Sequence, residues 1–186
     1  MKKIIYFLLF IIPFGSFGQT WIISQQLKCD DDLRILDIQK DKNDNFYAAG
    51  IFKGTFNGIT SEGNYDIFLA KIDPSFNIAW VQTIGSSLME FDPRLTVDSD
   101  DNIFLVGAFR DSCVFDNNVY LKSEGNYDIF LIKYSNSGEI TWASKIATYP
   151  SQQSPTDIDV DINNDLVITG HYTDSIYIYD ESIVNL

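Results

Sequence analysis

The nine residues at 61–69, SEGNYDIFL, recur letter for letter at 123–131, 62 positions later. A long internal period is typical of repeat architectures, in which each repeat is one supersecondary unit stacked on its neighbours. Other landmarks keep nearly the same spacing, namely Trp21, Trp80 and Trp142, and Gly50, Gly107 and Gly170. The chain therefore divides into a first unit at 30–84, a second unit at 92–146 and an incomplete third unit at 155–186.

Each unit repeats the same succession of short apolar runs and polar turns. In the first unit the runs fall at 35–39, 46–50, 67–72 and 78–84, with a variable segment between the second and third. These runs are rich in β-branched and aromatic residues and are bounded by Asp, Asn, Pro and Gly, which is typical of strands. The second and third runs are apolar almost throughout, which indicates sheets that are covered on both faces.

The fold predicted from this pattern is all-β. Four antiparallel strands in each unit, stacked face to face on copies of themselves, are typical of β-propeller blades. A two-sheet sandwich is the alternative, but its strands alternate apolar with polar residues and need not repeat. Because the tryptophans recur at one strand position, we expect them to pack between blades rather than to form a sugar-binding row.

The number of blades is small for a closed ring. Propellers close with roughly 4–8 blades, whereas this sequence contains about two and a half repeats. The favoured interpretation is that residues 19–186 are part of a larger propeller. In a second interpretation two or more copies assemble one ring as a homo-oligomer, and in a third the units form an open, capped stack.

The first 18 residues have the features of an export signal. Lys2 and Lys3 precede an apolar run at 4–14, and small residues at Ser16 and Gly18 suit cleavage after Gly18. The chain is therefore predicted to be secreted or held at the cell surface, with no membrane-spanning segment in its mature part. Its net charge of −13 disfavours binding to nucleic acid.

One part of the repeat resembles a known family. The pattern LTVDSDDNIFLVG at 95–107, followed by DIFLIKY at 128–134 and GEITW at 138–142, is similar to the bacterial β-propeller repeat family known as SBBP. The resemblance covers two nearly complete copies and a partial third. It implies a secreted or cell-surface propeller, and it implies no shared catalytic residue or ligand.

The acidic turns between the first two runs are the candidate metal sites. Oxygen-bearing side chains alternate there, and such spacing suits Ca²⁺; the candidates are Asp98, Asp100, Asn102, Asp161, Asn163 and Asp165. They do not form EF-hands, because Ile103 and Leu166 stand where the EF-hand loop needs glycine. The alternative is structural, since Asp and Asn in turns accept hydrogen bonds from their own backbone.

The function predicted from the sequence is an exported, non-catalytic scaffold or binding module. A protein or glycan partner is expected to contact the variable segments at 52–64 and 110–126, and no cofactor is expected apart from weakly bound Ca²⁺. His171 is the sole histidine, so no catalytic pair of histidines exists. A propeller enzyme acting on extracellular glycans and a calcium-dependent adhesin are the alternatives. Pairing of Cys29 with Cys113 is left open, because sequence spacing does not establish proximity.

Overall fold

The structure is a computed structural model, and it describes residues 7–8, 24–115, 119–123, 127–148, 153–173, 177–178 and 184–185. No helix occurs in these ranges, and so none that could cross a membrane. The strands before the third unit are β1 (Phe7–Leu8), β2 (Ser24–Gln25), β3 (Asp32–Lys40), β4 (Phe46–Lys53), β5 (Thr55–Phe56), β6 (Ile59–Thr60), β7 (Asp66–Ile72), β8 (Ile78–Ile84), β9 (Phe91–Val97), β10 (Ile103–Phe109), β11 (Ser112–Phe115), β12 (Val119–Lys122), β13 (Asp128–Tyr134) and β14 (Ile140–Thr148). They are followed by β15 (Gln153–Val160), β16 (Leu166–Tyr172), β17 (Tyr177–Ile178) and β18 (Val184–Asn185).

The first and second units each form a four-stranded antiparallel blade. The strand order is β3-β4-β7-β8 in the first unit and β9-β10-β13-β14 in the second. Every neighbouring pair follows directly in the chain or is separated only by a short hairpin. The all-β prediction and the propeller-type blade are therefore confirmed, with the four strands in the predicted places.

The variable segment of each unit contains a small hairpin that the sequence patterns did not reveal. Strands β5 and β6 pair within the first variable segment, and β11 and β12 pair within the second. In both units the hairpin lies between the second and third strands of the blade. It thus projects from a fixed place in the repeat, immediately before the duplicated residues.

The third unit contributes one hairpin, in which β15 pairs with β16. The described strands that follow this hairpin, β17 and β18, both pair with β14 of the second unit. As the fourth strand of its blade, β14 would present an edge of unpaired backbone groups, and these two short strands pair with part of that edge. Near the start of the chain, β2 pairs with β1. Trp21 lies outside the described residues.

Burial explains why the middle strands are apolar almost throughout. All seven residues of β7 and of β10 are buried, and so are six of the eight in β4. The largest core cluster combines residues of the first two units, including Tyr47, Leu69, Leu105 and Phe130. The second unit is covered by the first unit on one face and by the third unit on the other, whereas the outer face of the first unit is covered by nearby residues such as Leu27 and Phe56. Both faces of these strands are therefore removed from water.

Three kinds of contact join successive units. The first strands β3, β9 and β15 lie side by side, and the Leu95 amide donates to Asp37 Oδ2 at 2.9 Å. The acidic turns also meet, as where Lys42 Nζ lies 3.3 Å from Asp101 Oδ2. In the third contact, Trp80 Nε1 of β8 donates to the Asn136 carbonyl in the β13–β14 turn at 3.2 Å.

Candidate functional site

The duplicated segment forms a loop that is held by its own aspartate. Asp66, which begins β7, accepts hydrogen bonds from the amides of Glu62 at 2.9 Å and Gly63 at 3.4 Å. The Asp66 side chain is only 2% exposed. Burial raises its pKa, against the lowering effect of these two backbone hydrogen bonds. A carboxyl group is therefore fixed in the interior at the point where the variable segment rejoins the blade.

The connection between the first two units, residues 85–90, packs against this loop. The Asn64 amide donates to the Leu88 carbonyl at 2.9 Å, and the Glu90 amide donates to the Tyr65 carbonyl at 3.1 Å. Gly63 permits this approach, because a Cβ there would lie 2.2 Å from the Leu88 carbonyl oxygen. The glycine of the duplicated segment is thus required by the close approach of a second backbone.

A cavity of about 350 Å³ lies between this loop and the hairpin of the second unit. Its volume is at the lower end of the range in which proteins hold small ligands. Carboxyl, hydroxyl and amide groups share its wall with aliphatic and aromatic side chains. The lining residues are Ile59, Thr60, Glu62, Asp66, Gln82, Thr83, Gly85, Val114 and Phe115.

The cavity brings together the two segments that were predicted to contact a partner. Thr60 and Glu62 belong to the first variable segment, and Val114 and Phe115 belong to the second. The remaining wall residues lie outside those segments and were not predicted, namely Asp66, Gln82, Thr83 and Gly85. They face the same space because β7 begins and β8 ends beside the hairpin of the second unit, where the Val114 amide donates to the Gly85 carbonyl at 3.4 Å.

An exposed pair of large side chains adjoins the cavity, which Val114 lines. Val114 of β11 and Tyr120 of β12 are direct cross-strand partners and therefore project from the same face of the hairpin. Their exposed fractions are 54% and 67%. Exposed large side chains of this kind are common at protein interfaces, where tyrosine is enriched.

A second buried carboxyl group lies in the connection between the first two units. Glu90 is fully buried and accepts hydrogen bonds from the Ser86 hydroxyl at 2.5 Å and the Ser86 amide at 3.1 Å. Burial raises the pKa of Glu90 to about 7, and the charge of Asp66 contributes in the same direction. Cys113 is also buried, and its thiol pKa is raised by burial and by Glu90. The junction between the first two units is therefore rich in titratable groups.

The candidate calcium residues lie in the acidic turns, away from this cavity. Asp98 Oδ1 accepts hydrogen bonds from the amides of Asp100 at 2.9 Å and Asn102 at 2.8 Å. Asp98 Oδ2 accepts a hydrogen bond from Asn102 Nδ2 at 2.7 Å. Asp161 accepts the amides of Asn163 and Asp165 in the same way. In the described part of the chain, no three Asp, Glu, Cys or His side chains are grouped so as to hold a metal. The calcium hypothesis stays a prediction.

These observations define the class of protein as an all-β repeat protein with propeller-type blades. Part of the chain is similar to an "uncharacterized WD repeat-containing protein" of Acanthamoeba polyphaga mimivirus, with 27% identity over 123 residues. The aligned region covers 56% of this chain and 9% of the mimivirus protein, so the chain spans less than a tenth of that relative. No family model matches the chain. WD repeats build four-stranded propeller blades, in agreement with the blades observed here.

Proposed function

We propose that this chain is a non-catalytic, β-propeller-type scaffold that binds a protein partner at the cavity between its first and second units. The observation that carries this proposal is the convergence of both variable segments on one cavity. The strands of the blades position much of the cavity wall, and the hairpins carry the exposed side chains beside it, which is the usual division between scaffold and binding loops. The similarity to a WD repeat-containing protein supports a propeller-type scaffold as the context for such a site.

Removing the exposed apolar pair tests this proposal. We expect a partner to be recovered by the full chain and lost with the double variant Val114→Ser, Tyr120→Ser. Ile162→Ser is the matched control, because Ile162 is 98% exposed and lies in the acidic turn of the third unit. Equal recovery of the same partner by all three proteins would overturn the proposed site.

We further propose that the scaffold is exported and acts at the cell surface, as a propeller of the SBBP type. This proposal is supported by the basic start, the apolar run and the small residues of the N-terminal 18 positions. Expression of the full chain with a C-terminal tag provides the test. A mature N terminus at Gln19, measured by mass spectrometry of the exported product, is expected, and a product that keeps Met1 inside the cell would contradict it.

The other functions considered from the sequence make different predictions. A calcium-dependent adhesin would lose thermal stability when a chelator is added, whereas the scaffold proposed here would not. A glycan-cleaving enzyme would release sugar from surface polysaccharide and lose that activity when a carboxyl group is replaced. Glycan binding and ring assembly from several copies also remain proposals, and light scattering of the mature chain tests the latter.

A further inference from the structure

The first and second units carry different residues at the position of Thr83, which lines the candidate site. Thr83 in β8 pairs with Phe68, and Lys145 in β14 pairs with Phe130. Both members of the second pair are 62 residues beyond their counterparts, as are the buried aspartates Asp66 and Asp128. Thr83 and Lys145 therefore occupy the same place in the repeat.

In the second unit this lysine neutralises the buried aspartate. Lys145 Nζ lies 3.8 Å from Asp128 Oδ2 and donates a hydrogen bond to the Lys122 carbonyl at 3.1 Å. The side chain of Asp128 is fully buried, and that of Lys145 is only 14% exposed. A buried carboxylate of this kind needs a counter-charge, because an uncompensated buried charge is strongly destabilising.

In the first unit the same place is open. The aspartate is conserved between the units as Asp66, but a short threonine replaces the lysine, and within the described residues Asp66 forms no ion pair. Thr60, the counterpart of Lys122, lines the 350 Å³ cavity together with Asp66 and Thr83. The cavity therefore lies where the second unit places an ammonium group and its hydrophobic stem.

We propose that the cavity binds a primary ammonium group, with the Asp66 carboxylate as its counter-ion. The exposed carboxylate of Glu62 adds negative charge at the same wall, and the net charge of −13 attracts cations to the protein. The source of the ammonium is a lysine side chain of a protein partner, and for this source the inference rests on the proposed function above. Ile59, Phe115 and Val114 provide the apolar wall that the methylene stem of lysine packs against.

The wall chemistry favours an ammonium group over a metal ion. Both Asp66 oxygens already accept backbone amides, and Ca²⁺ requires six to eight oxygen ligands. An ammonium group needs only one carboxylate and a few acceptors, which is the environment that Lys145 has in the second unit. The second unit thus serves as an internal model of the occupied site.

Titration calorimetry with lysine analogues tests the proposal on the full chain. We expect Nα-acetyl-lysine-N-methylamide to bind saturably and the uncharged norleucine analogue, which has the same stem, to bind at least about tenfold more weakly. A peptide carrying one lysine, the arginine analogue, KCl and CaCl₂ form the other arms. Equal binding of the norleucine analogue, or tighter binding of an inorganic cation, would refute an ammonium site.

The Thr83→Lys variant supplies the ammonium from the chain itself. It is expected to abolish binding of the lysine analogue and to raise the melting temperature, as Lys145 completes the second unit. Ile162→Lys is the matched control, because it adds the same charge at a residue that is 98% exposed and outside the cavity lining; it is expected to bind the lysine analogue normally. Unchanged affinity in Thr83→Lys would overturn the proposal.

A second variant covers the case in which Thr83→Lys does not fold. Asp66→Asn keeps an oxygen that accepts the Glu62 amide but removes the charge, so binding should fall at least about tenfold. Unchanged binding would exclude Asp66 as the counter-ion. These titrations use free analogues and are independent of any partner. If the wild-type chain binds the lysine analogue and the Val114→Ser, Tyr120→Ser variant keeps its partner, the ammonium site is supported and the partner interface is rejected. If the lysine analogue does not bind and that variant loses its partner, only the ammonium site is rejected.

Discussion

The indole ring of Trp80 lies against Gly138, the turn glycine of the next unit. A Cβ on Gly138 would sit 3.0 Å from Trp80 Cδ2 and Cε2, and Trp80 Nε1 donates to the carbonyl of Asn136 in the same turn. Lys71 Nζ also donates to that carbonyl, at 3.1 Å. Trp142 packs in a core cluster that contains Ile158 of the third unit. The expected packing of tryptophans between units is therefore confirmed for Trp80 and Trp142.

This contact predicts an unequal pair of glycine substitutions. Gly138→Ala introduces a side chain at φ +89° and forces it against Trp80. Gly58→Ala is the matched control, since its φ is +83° and a Cβ there meets nothing within 4 Å. The backbone alone costs about 1 kcal/mol in either variant, and overpacking adds roughly 1–3 kcal/mol in Gly138→Ala. Urea unfolding measures the free energy of unfolding of both variants. Equal losses would contradict the prediction, because they would mean that Trp80 moves aside at no energetic cost.

The buried Glu90 predicts that the protein is more stable in mild acid. Its pKa of about 7 in the folded protein exceeds the ordinary value of 4.5, so the folded state holds the proton more tightly than the unfolded state. This contribution is complete below pH 4.5 and is lost as the pH rises through 7. The shift corresponds to at most about 3 kcal/mol between these limits.

Glu90→Gln isolates this effect from the general acidity of the chain. The amide can accept the Ser86 N–H and donate to the Ser86 hydroxyl, which keeps the buried contact. We expect the variant to match the wild type at pH 5 and to exceed its free energy of unfolding at pH 8. Glu62→Gln is the control for an exposed carboxylate. An equal loss of stability by the wild type and by Glu90→Gln between pH 5 and 8 would contradict the prediction.

The two cysteines are predicted to react at very different rates. Both are free thiols in the structure. Cys113 is fully buried with a raised thiol pKa, whereas Cys29 is part-buried and donates to the Lys53 carbonyl at 3.1 Å. Since the thiolate is the reactive form, a thiol reagent should modify Cys29 first and Cys113 only on unfolding. Two thiols are expected in denaturant, and none would reveal a disulfide.

Much of the blade could be predicted from the sequence because the repeat gives its own alignment. Strands such as β7 and β13 are apolar almost throughout and begin within the duplicated residues, so their type, order and burial were evident. The hairpins β5–β6 and β11–β12 were missed, because they lie in the segments where the two units diverge. Short strands in such segments depend on packing against the blade rather than on a local pattern.

Only part of the candidate site could be predicted from the sequence, for a related reason. Two variable segments were expected to contact a partner, but their meeting depends on how one unit stacks on the next. The contrast between Thr83 and Lys145 is present in the sequence, yet it acquires meaning only when the register places both beside a buried aspartate. Which charges face one another is a property of packing, and the repeat alone did not supply it.

The acidic turns predict a graded series of aspartate substitutions. Asp41 is only 4% exposed and accepts the amides of Asn43 at 2.8 Å and Asn45 at 2.9 Å, together with the Tyr47 hydroxyl at 3.1 Å. Asp161 accepts two turn amides in the same geometry but is exposed. Asp41→Ala should therefore cost about 2–3 kcal/mol, because buried donors lose their acceptor. The loss in Asp161→Ala should be smaller, since water replaces the carboxylate there.

Acid provides an independent measurement of the same turns. Burial acts to raise the pKa of Asp41, but hydrogen bonds from Asn45, Asn43 and Tyr47 outweigh it and hold the pKa below its ordinary value. The stabilisation by Asp41 is therefore complete above pH 4 and is lost as the pH falls through its folded-state pKa. Asp41→Ala should show a smaller loss of stability than the wild type between pH 5 and 3. If Ca²⁺ bound these turns, a chelator at neutral pH would lower the stability of the wild type as Asp41→Ala does. We expect the chelator to leave the stability of the wild type unchanged.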